Sequence, residues 1–264
     1  MLHAIDAFED KGLRETGWDS GNKEWVRDLP APAAVGSSHR GVLAMSTFTA
    51  ETTFEIRTDV SWDDYVRLRE SQDESGVRLT YHDGTLVLMS PEYLHEGDEA
   101  RLSVIIREIA DALDIAFASA GSTTFRRKGD ASRKGSGKEP DASFYLGENS
   151  LRIWGKTTID LDVDPPPDLA IEVENKADSE YALPVYVALR VPEVWLYNAR
   201  EAKLRFGRLV GQSYEPIARS VSLPILTPGL VIEAIEAAEL VRSEKDWIRW
   251  VRAWAKDLAD GRIQ

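Results

Sequence analysis

The sequence predicts an α/β domain with a mixed central sheet flanked by helices, and three observations predict it. A hairpin signal at residues 77–91, a long amphipathic stretch from 96 to 115 and short apolar strand segments between 140 and 209 follow one another along a chain of 264 residues. Strands and helices interleave instead of segregating, which is the pattern of layered sheet-and-helix folds. Length favours one large domain with appendages. Residues 1–57 read as a poorly ordered or extended N-terminal segment, 58–240 as the domain, and 241–264 as a C-terminal helical appendage.

The segment DLPAPAAVGSSHRG (28–41) is rich in Pro, Ala, Ser and Gly and reads as a flexible connector. Order is expected from VSWDDYVRLRE (60–70), where Ser61 and Asp64 make a capping box. Trp62, Tyr65, Val66 and Leu68 form the apolar side of that short helix. In VRLTYHDGTLVLMSP (77–91) two alternating runs flank Asp83-Gly84, a tight turn, and Pro91 stops the second strand. From Glu96 to Ile115 the apolar residues recur at three- and four-residue spacings, the helical period. STTFRRKG (122–129), a Gly/Ser/Lys loop and the strand PDASFYLG (140–147) come next.

A strand at 168–173 leads to a short helix over 179–190, with Pro184 near its first turn or kinking it. EVWLYNAREAKLRFGRL (193–209) supplies two strands joined at Asn198–Glu201. SEKDWIRWVRAWAKDL (243–258) is an amphipathic helix capped by Ser243 and Asp246, with Trp247, Trp250, Val251, Trp254 and Leu258 along one face. That stripe packs onto the parent domain or pairs with a second copy, so a homodimer stays open.

Composition narrows the chemistry. Cysteine is absent, which removes disulfides, thiolate ligands and cysteine nucleophiles together. No apolar run approaches the roughly 18–20 residues of a membrane span. The start, MLHAIDAFEDKG, lacks the basic flank and long apolar stretch of a secretory signal. A cytoplasmic protein with no membrane contact is therefore expected. A dinucleotide or P-loop site is not: no GxGxxG follows a strand and no GxxxxGK[ST] occurs. The net charge of −13 works against loose attraction to nucleic acid, though a local basic groove remains compatible with it.

Two stretches carry candidate chemistry. In DLAIEVENKAD (168–178), alternation puts Glu172 and Glu174 on one side and Ile171 and Val173 on the other. An edge strand with a wet face explains this blandly. The continuous apolar run instead reads as a central strand, and a buried carboxylate then requires a metal or a basic side chain. Asp141, behind Pro140 at the start of another strand, meets Glu172 if the two strands are neighbours. Such carboxylates with water form a hard site for Mg²⁺ or Mn²⁺, which activates water and offsets charge on a phosphate under attack. Glu174 or Lys176 then orients the water or balances charge.

In the second stretch, FRRKGDASRKGSGKEPD (125–141), Arg126, Arg127, Lys128, Arg133, Lys134 and Lys138 stand against Asp130 and Glu139 ahead of Asp141. It reads either as a charged surface loop or as a mobile element that holds nucleic-acid phosphates without reading bases.

Pro140-Asp141, EVEN (172–175), the hairpin and Ser90-Pro91 before a helix with His95, and YVALRVPEVWLYN (186–198) together resemble a bacterial family. It is the restriction endonuclease-like family with a PD-(D/E)XK nuclease core, and the resemblance spans about residues 58–235. It implies a restriction endonuclease-like core, Mg²⁺ at the fork of the sheet, and DNA as substrate. Asp141 matches the Asp of the PD motif and Glu172 the first acid of (D/E)XK, with the Val173 carbonyl as a further metal ligand. His95 and Glu96 match accessory positions at the start of the first core helix.

The chain departs from the pattern at the lysine, since Glu174 holds that position. Ala182 stands where the next helix of family members usually brings a lysine, and Lys176 is the nearest in sequence. Three outcomes stay open: Lys176 substitutes, Glu174 binds a second ion, or catalysis is lost. A catalytically inactive relative would still bind nucleic acid or a protein partner, whereas a purely structural protein would expose its acidic strand.

Overall fold

The computed structural model describes residues 17–19, 24–26, 54–71, 77–89, 93–121, 123–129, 134–173 and 178–263. An N-terminal unit, Met1–Arg40, holds β1 (Gly17–Asp19) and β2 (Glu24–Val26), paired antiparallel. The proposed connector at 28–41 lies outside the described residues. Everything below concerns the second unit, Gly41–Gln264.

This unit begins with β3 (Phe54–Arg57), inside the segment expected to be poorly ordered or extended, and α1 (Trp62–Ser71). The Ser61 hydroxyl accepts the Asp64 N–H at 3.1 Å, which satisfies one of the free N–H groups of the first helical turn. The hairpin follows as β4 (Arg78–His82) and β5 (Thr85–Met89). Asp83 and Gly84 both take positive φ, 45° and 94°, as a two-residue hairpin turn requires.

Helix α2 (Tyr93–Ala112) is followed by β6 (Phe117–Ser119), β7 (Phe125–Arg127), β8 (Ser136–Lys138), β9 (Ala142–Leu146) and the short α3 (Glu148–Ile153). Then come β10 (Leu169–Val173), α4 (Asp178–Leu189) with Pro184 inside it, β11 (Glu193–Asn198), β12 (Lys203–Val210) and β13 (Ser213–Ile217). Helices α5 (Pro228–Glu236) and α6 (Glu244–Ala259) complete the chain.

Two sheets form. The larger has the order β13-β12-β11-β10-β9-β6 and is mixed: β10 and β11 run parallel across the α4 crossover, and the other pairs are antiparallel. The smaller has the order β3-β5-β4-β8-β7, all antiparallel. Alternation divides the faces of the large sheet. Phe144, Leu169, Ile171, Val173, Trp195 and Phe206 face α2, α5 and α6 in the main core. Tyr145, Ala170 and Val194 face the other way, against Ala182, Val185, Tyr186 and Leu189 of α4.

The C-terminal helix takes one of its two expected placements, and the segment before Asp141 departs from expectation. The C-terminal helix is an integral wall of the main core: Trp247, Val251, Trp254 and Leu258 are buried in it, and Arg252 makes a two-pronged ion pair with Glu108 of α2 at 2.8 Å. Its tryptophan stripe thus packs on α2 of the same chain. The expected mobile loop before Asp141 contains β7 and β8, the second buried throughout. Gly137 is required there because a Cβ would lie 2.2 Å from the Tyr65 hydroxyl oxygen.

Candidate functional site

Buried acids need partners, and this fold supplies them in two ways. Glu193 and the half-buried Asp168 are held by N–H donors. Glu193 accepts from the Trp195 indole at 2.7 Å and from the backbone of Val221 and Ser222 at 3.0 and 2.8 Å. Asp168 accepts from Leu146 N–H at 2.8 Å and from Asn149 at 2.7 Å; burial nevertheless pushes its carboxyl above the usual range. Both brace turns against the sheet. Asp141 and Glu172 are held by cations.

These two acids come from adjacent strands. Ala142 opposes Ile171 in the β9–β10 register, so one step further Asp141 lies alongside Glu172. Both sit at the end of the sheet on the α4 side, 3% and 2% exposed. Asp141 Oδ2 accepts the Val173 N–H at 2.6 Å, fixing the carboxylate across the strand ends. Asp141 Oδ1 pairs with the Arg78 guanidinium, which also reaches Glu99 Oε2 at 3.5 Å. Glu172 Oε2 lies 3.2 Å from Lys138 Nζ, and Glu172 Oε1 accepts the Tyr186 hydroxyl. Lys138 Nζ donates in turn to Thr80 Oγ1 at 3.3 Å and stands 5.8 Å from the centre of the Tyr186 ring. Burial, then the Glu172 charge, raises the Tyr186 phenol well above its usual pKa, so it stays protonated and donates.

The local sequence explains the convergence. In β4, Leu79 and Tyr81 turn into the small core with Tyr65, leaving Arg78, Thr80 and His82 on the opposite face by alternation. In β8, Gly137 faces Tyr65, so Ser136 and Lys138 share that same outer face. Helix α4 covers both strands. The cations therefore come from the small sheet and the acids from the large one.

Of the residues singled out from sequence, Asp141, Glu172 and Val173 meet here, Val173 through its N–H. Glu174, Lys176 and Arg133 lie outside the described residues, as do the side chains of His95 and Glu96, which fall on α2. Lys138 is buried against Glu172 and is not part of an exposed phosphate-holding loop. Arg127 is half-buried and donates to the Leu161 carbonyl at 2.9 Å and that of Ala188 at 3.4 Å. Arg126, Lys128 and Lys134 are exposed, and the Lys134 N–H caps Asp83 of the hairpin turn at 2.9 Å. Sequence reasoning missed Arg78, Thr80, Glu99 and the donor role of Tyr186. The alternation of β4 was the available signal for Arg78 and Thr80.

Among the described residues no group of three His, Cys, Asp or Glu side chains is placed to hold a metal ion. No described helix is long and apolar enough to cross a membrane.

No curated protein matches the chain. It is similar to the crystal structure of a putative nuclease belonging to DUF820 from Anabaena variabilis, at 18% identity and a TM-score of 0.41. That match covers 73% of this chain and 99% of the other. Residues 62–238 match the Uma2 family, described as "Putative restriction endonuclease". With well over half of its length matched, the chain belongs to the Uma2 family.

Proposed function

We propose that this protein is a divalent-metal-dependent nuclease of the PD-(D/E)XK type, hydrolysing phosphodiester bonds in DNA at Asp141 and Glu172. The observation that carries the reading is the meeting of these two buried carboxylates at the ends of adjacent strands. In donor type they fit Mg²⁺ or Mn²⁺, which prefer carboxylate oxygen. The third donor would be the Val173 carbonyl or Glu174. When bound, such an ion lowers the pKa of a water and offsets charge on the phosphate.

The chain's own residues do the remaining work. Tyr186 and Lys138 grip the two oxygens of Glu172 and fix the direction in which it presents them. Arg78, with 15% of its side chain exposed, brings positive charge to Asp141 and to a phosphate entering beside it. Lys138 thus supplies, from β8, the ammonium that neither position 174 nor position 182 can supply.

A second reading is favoured by one observation: all four oxygens of Asp141 and Glu172 already have partners, two of them cationic. A chain whose acids are permanently neutralised by Arg78 and Lys138 would be a catalytically inactive relative.

One experiment separates the two. Plasmid DNA and RNA are incubated with and without Mg²⁺ or Mn²⁺, while ion binding is followed by calorimetry. The nuclease reading expects metal-dependent cleavage that falls about 100-fold or more in Glu172→Gln and Asp141→Asn, with weakened ion binding. Cleavage that survives the double substitution refutes this mechanism. Absence of both ion binding and cleavage in the wild-type chain establishes the inactive relative.

A further inference from the structure

A cavity of about 600 Å³ opens between α4, the turn end of the β4–β8 pair and the start of β13. Leu183, Val187 and Ala188 make an apolar wall, and His82, Asp83, Ser136 and Gln212 give it a polar edge. A smaller hollow of about 250 Å³ shares Gly135, Ser136, Val187, Ala188 and Gln212 with it and forms its mouth. Among the described residues, Arg127, Lys128 and Arg190 line that mouth, and no Asp or Glu does. In a chain of net charge −13, three basic side chains around one hollow are a local exception.

Arg190 makes the arrangement more specific. It follows the last residue of α4 with φ 62°, and its N–H reaches the Val187 carbonyl at 3.1 Å while the Val191 N–H reaches that of Tyr186 at 3.1 Å. This is a Schellman cap, whose left-handed position favours glycine because a Cβ is strained there. An arginine at a helix end complements the helix dipole, which explains one positive charge. It does not explain why Arg127 converges on the same hollow from β7. Burial and the neighbouring Arg190 charge hold the Arg127 guanidinium below its usual pKa, with Asp162 opposing, so the two cations repel across the mouth. An anion between them relieves that repulsion.

We propose that the mouth and the cavity behind it form a nucleotide site. One phosphate sits on Arg127, Lys128 and Arg190, and its base lies against the apolar wall of α4. The combined volume is of the size that ligand pockets show, and an apolar wall with a few polar groups at its edge suits a base. Arg and Lys suit the phosphate, the first through its planar fork. The inference goes beyond the cleavage reading, because neither Asp141 nor Glu172 takes part. The nucleotide is either free or a unit of a single strand, and the chemistry is the same.

The test is equilibrium binding to the full chain without divalent ions. The probes are a labelled single-stranded oligonucleotide, nucleoside 5′-monophosphates and inorganic phosphate. Arg190→Gln, at an exposed position, is expected to weaken binding about tenfold or more, the loss of one charged contact. For the oligonucleotide it should also lower the salt slope by about one unit. Leu183→Trp, which narrows the cavity behind the mouth, should weaken nucleotides while leaving inorganic phosphate unaffected.

Displacement of the strand by free monophosphates identifies the free nucleotide as ligand, whereas a strand they cannot displace identifies a strand unit. Either result supports the site. It is overturned if the wild type binds no probe, if both variants bind as the wild type does, or if inorganic phosphate competes as well as the nucleotides. Cleavage is scored separately with Mg²⁺. A chain that binds and does not cut refutes the hydrolytic reading and leaves this one standing.

Discussion

Lys138→Met tests the central ion pair. The Lys138 and Glu172 side chains are 4% and 3% exposed, with Nζ and Oε2 3.2 Å apart. At an effective dielectric constant of about 20, unit charges at that separation attract by about 5 kcal/mol, which offsets the desolvation of both. Methionine keeps the length of the lysine stem and removes the charge, leaving Glu172 with the Tyr186 hydroxyl. Breaking a buried pair from one side costs about 3–5 kcal/mol, because the surviving charge has lost its counter-charge. Glu172→Gln should cost a similar amount by stranding Lys138 on Thr80.

The double variant Lys138→Met/Glu172→Gln should recover most of that loss, since no buried charge remains unpaired. Urea denaturation with a fixed m-value gives all four free energies of the cycle. If Lys138→Met costs less than about 1 kcal/mol, or if the single losses add in the double variant, the two side chains are not coupled as a buried pair.

Two further outcomes are expected. Gly137→Ala puts a Cβ 2.2 Å from the hydroxyl oxygen of Tyr65, which is itself stacked on Tyr81 at 4.7 Å. It should lower stability by about 1–3 kcal/mol or more in urea, and an unchanged midpoint would show that β8 packs differently. Burial also raises the phenols of Tyr65, Tyr145, Tyr186 and Tyr214 above their ordinary value of 10.0. The native chain then holds protons that the unfolded chain releases, so stability should fall as pH rises through about 10. Phenolate absorbance should lag in the native protein and jump on unfolding; eight tyrosines ionising together near the ordinary value in a still-native chain would refute this.

The acidic half of the site was legible because its signals are local. Continuous apolar residues around Glu172 mark a central strand, and Pro140-Asp141 marks the start of its neighbour. The cationic half was not. Ser-Gly-Lys at 136–138 has a loop's composition, and its strand character comes from pairing with β4 and β7, a tertiary effect that propensity does not carry. Arg78 stood in the clearest hairpin of the chain. That the solvent-like face of this hairpin lies under α4 is a matter of how two sheets pack, which alternation alone does not state. The C-terminal helix shows the reverse: its stripe was plain, and only packing decided that α2 receives it.

The chain crosses from one sheet to the other within the site itself. Lys138 ends β8 of the small sheet, Glu139 and Pro140 follow, and Asp141 leads into β9 of the large sheet. Glu139 is buried at the crossing and pairs with Arg69 of α1, while Lys138 and Asp141 are fixed to Glu172 and to the Val173 N–H on β10. Three charged positions within four residues are therefore tied to β10 and α1, and Lys138 and Asp141 are satisfied only when the two sheets are docked. A buried ion pair contributes little net stability, but its unpaired forms are heavily penalised. Misdocked arrangements that bury these groups without their partners would carry several such penalties at once. That makes assembly of the acid pair and docking of the hairpin sheet one cooperative event, and places the sensitivity of the site in β4 and β8 as much as in the strands that bear the acids.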